Sequence, residues 1–124
     1  MRKTANFMAT AASLAVLVSG ISLIPQTAAA AEEMDTVKMG KELAFDRKKG
    51  NCLACHAIDD GVSPGDIGPP LVAMKARFPD RAKLRTQIWD AQVNNPGTRM
   101  PPFGKHKILS DKEIDAIVEY LYTL

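Results

Sequence analysis

Two thiols and an imidazole within five residues set the terms for the rest of this chain. Residues 52–56 read Cys52-Leu53-Ala54-Cys55-His56 and hold both of its cysteines. No thiol is left over for a disulfide or a thiolate cluster. Two cysteines three positions apart on one turn of backbone can each add to a vinyl group of a porphyrin. The next residue, His56, then lies under the iron and can donate an imidazole nitrogen. This is the C-x-x-C-H attachment signature of a c-type haem. The same pair could form a dithiol redox site or half of a zinc site. The first wants a thioredoxin-like pattern of strands and helices, and no alternating strand surrounds the motif. The second wants four ligands, and His106 is the only other histidine. Covalent haem is therefore the expectation, one per chain, through Cys52 and Cys55.

The start of the chain belongs to targeting rather than to the fold. Arg2 and Lys3 precede a mostly apolar run from Phe7 to Ile24, Pro25 breaks it, and Thr27 to Ala31 offers small residues. This reads as a secretory signal peptide over residues 1–31, cleaved after Ala29, Ala30 or Ala31. A retained anchor fits less well, because Ser13, Ser19 and Gly20 interrupt the apolar run. Export and thioether haem agree, since such haems are attached outside the bacterial cytoplasm. The expected compartment is the periplasm, with no membrane span after processing.

Residues 32–124 then form one small domain. The whole chain carries 16 Lys plus Arg against 14 Asp plus Glu. Removing Arg2 and Lys3 leaves 14 against 14, a formal net charge of zero. That balance gives no basis for nucleic-acid binding.

The mature part reads as helices and loops without a convincing strand, hence an all-α domain. Asp35 can cap a helix over Thr36–Phe45, with Val37, Gly40 and Ala44 on one side and Met39, Leu43 and Phe45 extending the apolar surface. Gly40 costs about 1 kcal/mol relative to Ala inside a helix. It marks either the close approach of another helix or a position of no consequence. Lys48 and Lys49 read as a solvated face, and residues 57–67 as a surface loop. Leu71 to Phe78 can form a short helix, and Asp80 caps another over Arg81–Val93, with Leu84, Ile88 and Ala91 inward. Ser110 and Glu113 form a capping box for a last helix, whose Ile114, Ile117, Val118 and Leu121 make a stripe expected to pack near Gly40.

The second axial position has five candidates: Met34, Met39, Met74, Met100 and His106. Met39 and Met74 lie on helical faces, where methionine usually fills a core. Met34 is close to the processed N-terminus. Met100 lies in a loop stiffened by Pro101 and Pro102, as an axial ligand requires, and is the expected choice. A thioether ligand raises the potential relative to a second imidazole, and two protein ligands leave no open iron site. One-electron transfer then follows, with no catalytic residue in this chain. In Gly68-Pro69-Pro70-Leu71, the Pro69 carbonyl could hold the second nitrogen of His56, or the prolines could simply stiffen the loop.

With C-x-x-C-H, then G-P-x-L, then Met-Pro between two terminal helices, the chain resembles class I cytochromes c over its whole mature length. The resemblance implies that Pro69 accepts from the ligand histidine and that Met100 is the distal ligand. More narrowly, Leu43 to His56, Gly68 to Leu71, Phe78-Pro79-Asp80-Arg81, Ile88-Trp89-Asp90-Ala91 and Met100 to His106 resemble the SoxX family, the monohaem subunits of SoxAX complexes. That resemblance implies a heterodimer with the SoxA cytochrome subunit, acting as L-cysteine S-thiosulfotransferase. SoxA would carry the catalytic site and join thiosulfate to a cysteine of the SoxYZ carrier. The SoxX haem would pass the released electrons to a soluble cytochrome c. An alternative from another class is a free, diffusing cytochrome c steered by Arg99, Lys105 and Lys107. A sensor or peroxide site would follow only if Met100 did not bind iron. Phe103 and Trp89 could contribute to docking, although core packing is the commoner use of such residues.

Overall fold

The computed structural model describes residues 26–124, so most of the expected signal peptide, residues 1–25, lies outside the described residues. Four α-helices organise the chain: α1 (Gln26–Phe45), α2 (Met74–Arg77), α3 (Arg81–Trp89) and α4 (Asp111–Leu121). Single 3-10 turns at Cys52–Ala54 and Ala91–Val93 join them. Among the described residues there is no strand, only an isolated parallel bridge between Ile58 and Leu71. The domain is all-α, as its pattern predicts.

The crossing of α1 and α4 is the frame. Helix α4 buries Ile114, Ile117, Val118 and Leu121, the predicted stripe, together with Ala116 and Tyr120. Its start is fixed by the capping box: Ser110 N donates to Glu113 Oε2 at 2.7 Å, and Glu113 N donates to Ser110 Oγ at 3.4 Å. Gly40 of α1 lies against the main chain of Ala116, so closely that a Cβ there would overlap the Ala116 carbonyl. The helical glycine is thus explained by contact between two helix backbones, and Ala44, fully buried, continues the same face.

Several boundaries differ from expectation. Helix α1 begins at Gln26 rather than at Thr36, and Asp35 lies inside it instead of capping it. The alanines before Asp35 are strong helix formers and carry the helix through. Met39 does not join the apolar face and is 42% exposed, because Val37, Gly40 and Ala44 already define the side turned to α4. The helix expected over Leu71–Phe78 shrinks to Met74–Arg77, since Leu71 is engaged in the bridge to Ile58. The helix expected over Arg81–Val93 stops at Trp89. Asp90 turns extended, with φ −154°, and its side chain accepts from Gln92 N to cap the following 3-10 turn. A short acceptor side chain competes with helix continuation in this way.

Helix α3 starts as predicted, with Ala82 N donating to Asp80 Oδ1 at 2.9 Å. It buries Leu84 and Ile88. Arg85 ties it to α4 by ion pairs with Asp111 at 2.7 Å and Asp115 at 2.6 Å. Arg81 pairs with Glu119 and lies over the Tyr122 ring. These helices leave one large concavity, which the C-x-x-C-H turn and the Met100 loop both border.

Candidate haem-binding site

The motif turn hangs from the end of α1. Gly50 N donates to Leu43 O at 3.1 Å and Asn51 N to Asp46 O at 3.0 Å, folding the chain back on the helix. Asn51 takes the left-handed conformation, φ 46°, which asparagine tolerates better than most residues. The next residues wind tightly: Cys55 N and His56 N both donate to Cys52 O, at 3.1 and 2.9 Å. Cys52, Cys55 and His56 therefore leave one turn as three neighbours. Burial pushes the Cys52 thiol up to about 11.

The loop after the motif returns to support the histidine. Gly65 N donates to Leu53 O at 2.9 Å and Gly68 N to Cys55 O at 2.8 Å. The His56 ring lies directly against Gly68, where a Cβ would overlap the imidazole. His56 Nδ1 is 2.7 Å from Pro69 O. A carbonyl has no proton to give, so Nδ1 is the donor, and in the neutral ring Nε2 carries the lone pair.

Cys52, Cys55 and His56 line a cavity of about 800 Å³ together with Met100. Sites for cofactors typically enclose about 300–1,000 Å³. Leu71, Phe78, Leu84, Ile88 and Phe103 give it apolar walls. Five basic residues, Arg47, Lys48, Lys49, Arg77 and Arg99, also line it, and no carboxylate does. Two thiols, an imidazole with one nitrogen already held, a thioether, apolar walls and a cationic rim suit a flat apolar macrocycle with an iron and two carboxylate arms. The residues present fit a haem.

Of the five axial candidates, Met100 and Met74 border the cavity, while Met34, Met39 and His106 do not. Met74 is 2% exposed within the core, and the Arg77 guanidinium lies 3.6 Å from its sulfur. Its thioether already has a packing role and a donor. Met100 is half-buried, and its N–H donates to Thr98 Oγ1 at 3.1 Å.

Other expectations need correction. Phe103 is 6% exposed and belongs to the core, so it offers nothing to a docking partner. Lys49 is not merely solvated: it reaches Glu113 at 2.8 Å and ties the motif loop to the start of α4. Sequence reasoning missed Gly68 under the imidazole. It also missed the gathered rim, because its cations come from three separate segments of the chain.

Residues 36–121 match the family described as cytochrome c oxidase, cbb3-type, subunit III. A protein of Aquifex aeolicus (strain VF5) described as an uncharacterized lipoprotein is 37% identical over 76 residues, which cover 60% of this chain. This chain spans only 37% of that relative's length. The crystal structure of SoxXA from P. pantotrophus superimposes with a TM-score of 0.63 at 29% identity, covering 69% of this chain and 79% of the other.

Proposed function

Since the chain belongs to the cytochrome c oxidase cbb3-type subunit III family, and is a SoxX-like class I cytochrome c, we propose that it is the electron-transfer subunit of a periplasmic thiosulfate-oxidising complex. The chain is an electron-transfer cytochrome domain of the kind that holds haem c covalently. The observation that carries the reading is the convergence of Cys52, Cys55, His56 and Met100 on one apolar cavity.

Cys52 and Cys55 would supply the two thioether bonds of a single haem, His56 the proximal nitrogen through Nε2, and Met100 the distal sulfur. Pro69 O holds Nδ1–H, which fixes the ring plane and makes Nε2 the better donor. When bound, the haem supplies a one-electron iron couple. The chain's own residues then do three things. The apolar walls would keep water from the group, the cations lining the cavity would offset its carboxylate arms, and His56 and Met100 together would leave no coordination position for a substrate. Electrons can enter and leave, and bond chemistry is left to a partner.

On this reading the partner is a SoxA-like cytochrome subunit bearing the L-cysteine S-thiosulfotransferase site. Thiosulfate is joined there to a cysteine of a SoxYZ-like carrier, and a soluble cytochrome c is the acceptor. The superimposed crystal structure is that of SoxXA, and this supports such a pairing. Residues 1–31 act as the export signal and residues 32–124 as the mature domain. Ala30 to Asp35 are all exposed, so the chain at Ala30 and Ala31 is open to solvent.

The test begins with visible spectra of haem-loaded wild type and Met100→Ala, oxidised and reduced. The oxidised wild type should show the weak far-red methionine-to-iron charge-transfer band, and M100A should lose it. A band that survives in M100A removes Met100 from the site. Affinity purification of the wild type from its native periplasm should then bring down a second cytochrome in a fixed ratio. Recovery of this chain alone favours the freely diffusing carrier.

A further inference from the structure

We propose that Asp90 and Lys105 are a positioning pair that holds the Met100 loop closed over the cavity. The inference rests on Met100 as the distal ligand and adds what keeps it there. Asp90 is 3% exposed and is the one buried charged residue among the described residues. It stands where α3 ends. Its Oδ1 accepts from Gln92 N at 3.1 Å, and its Oδ2 accepts from Lys105 Nζ at 2.8 Å.

The surrounding main chain shows why this is the point of closure. The arc that carries Met100 leaves from residues 91–95, where Asn95 N donates to Ala91 O at 3.0 Å. It lands beside its own origin: Gly104 N and Lys105 N both donate to Trp89 O, at 3.0 and 3.3 Å. Gly104 lies against the Trp89 indole, with no room for a Cβ. Both feet of the arc thus stand on residues 89–91. Near the departing foot the arc braces itself, with Gly97 N on Asn95 Oδ1 at 3.2 Å and Met100 N on Thr98 Oγ1 at 3.1 Å. At the landing foot the Asp90–Lys105 pair is the only side-chain hydrogen bond back to the end of α3 among the described residues.

The asymmetry of burial decides its weight. The Lys105 side chain is 51% exposed and can return to water, but the Asp90 side chain is 4% exposed and cannot. Losing the ammonium strands a buried carboxylate, a larger penalty than losing a surface ion pair. The Lys105 ammonium also holds the Asp90 carboxyl below its ordinary range, so the carboxylate is charged when the arc is shut. Neutralising either partner should therefore raise the fraction of molecules whose arc is open.

An external ligand that needs Met100 displaced reports that fraction directly, since its apparent Kd is the intrinsic value divided by the competent fraction. Oxidised, haem-loaded protein is titrated with imidazole, following the far-red band and the main absorption band. The variants are Asp90→Asn, Lys105→Met, Lys105→Arg and, as a distant control, Lys41→Met, which removes the ion pairs of α1 with Asp59 and Asp60. D90N and K105M should bind imidazole at least about tenfold tighter than wild type, with K105R and K41M within about twofold. In urea, the far-red band of D90N and K105M should disappear before the helical circular dichroism does. If D90N yields no folded holoprotein, K105M decides. Titrations of K105M that match wild type, or K105R as loose as K105M, overturn the positioning pair. A wild type that lacks the band, or binds imidazole as readily as M100A, overturns the Met100 assignment itself.

Discussion

At the scale of single residues, the proximal side of the cavity is set by a side chain that is not there. The His56 imidazole rests on Gly68, and its Nδ1 proton goes to a main-chain carbonyl 2.7 Å away. Two substitutions in adjacent positions should therefore diverge. Pro69→Ala keeps the carbonyl and should keep most of the axial geometry. Gly68→Ala places a methyl in the ring and should cost about 1–3 kcal/mol by overpacking. Urea unfolding and the yield of haem-loaded protein measure both, and equal behaviour of the two variants would refute the ring-on-glycine account. This contrast also explains what could be read in advance. Cysteine and histidine carry their chemistry in their identity, so Cys52, Cys55 and His56 stand out in a bare sequence, whereas Met100 is picked from four candidate methionines by the prolines that follow it. Gly68 acts through absence, Asp90 through burial, and Arg47, Arg77 and Arg99 through a convergence that only folding creates.

At the scale of elements, ends decide more than middles. Helix α4 was legible from its first residue because Ser110 and Glu113 satisfy each other's main-chain donors locally. Helix α3 is shorter than its sequence suggests because Leu84, Ile88 and Ala91 keep helical spacing past the true stop. Asp90 ends it by offering its carboxylate to Gln92 N, and Ala91 is buried from a 3-10 turn instead. Helix α1 is longer than its sequence suggests because Asp35 resembles a cap while the alanines before it propagate the helix. The α4 start also carries a pH signature. The Lys49 ammonium, with the Ser110 N–H and hydroxyl, lowers the Glu113 carboxyl from 4.5 to about 2. A depressed carboxyl stabilises the fold fully above its ordinary value and loses that contribution as pH falls toward the folded value. Wild type should thus exceed Glu113→Gln in stability near about pH 5, with the gap closing toward about pH 2. Urea midpoints at both ends of that window check this, and a constant gap would show that Glu113 acts only as a polar cap.

At the scale of the whole molecule, the cavity is as large a fact as the helices. Protein interiors are packed like organic crystals, and apolar walls around about 800 Å³ need an occupant. Cys52→Ser/Cys55→Ser protein, made without covalent haem, should keep much of its far-ultraviolet helical signal. It should lose near-ultraviolet signal and cooperative unfolding, and bind hydrophobic dyes. A cooperative transition at the wild-type midpoint would mean that the helices carry the fold unaided. The Gly40–Ala116 crossing has a further consequence, in the length of chain the fold can accept. By clasping α1 to α4 it closes residues 46–110 into a ring, and the entropy of closing a ring grows only with the logarithm of its length. Each doubling costs roughly 0.6 kcal/mol. Val62, Ser63 and Pro64 face solvent on that ring. Added segments can therefore loop out there at little expense, and proteins of this architecture are free to differ widely in size at that turn while keeping the same two helices in contact.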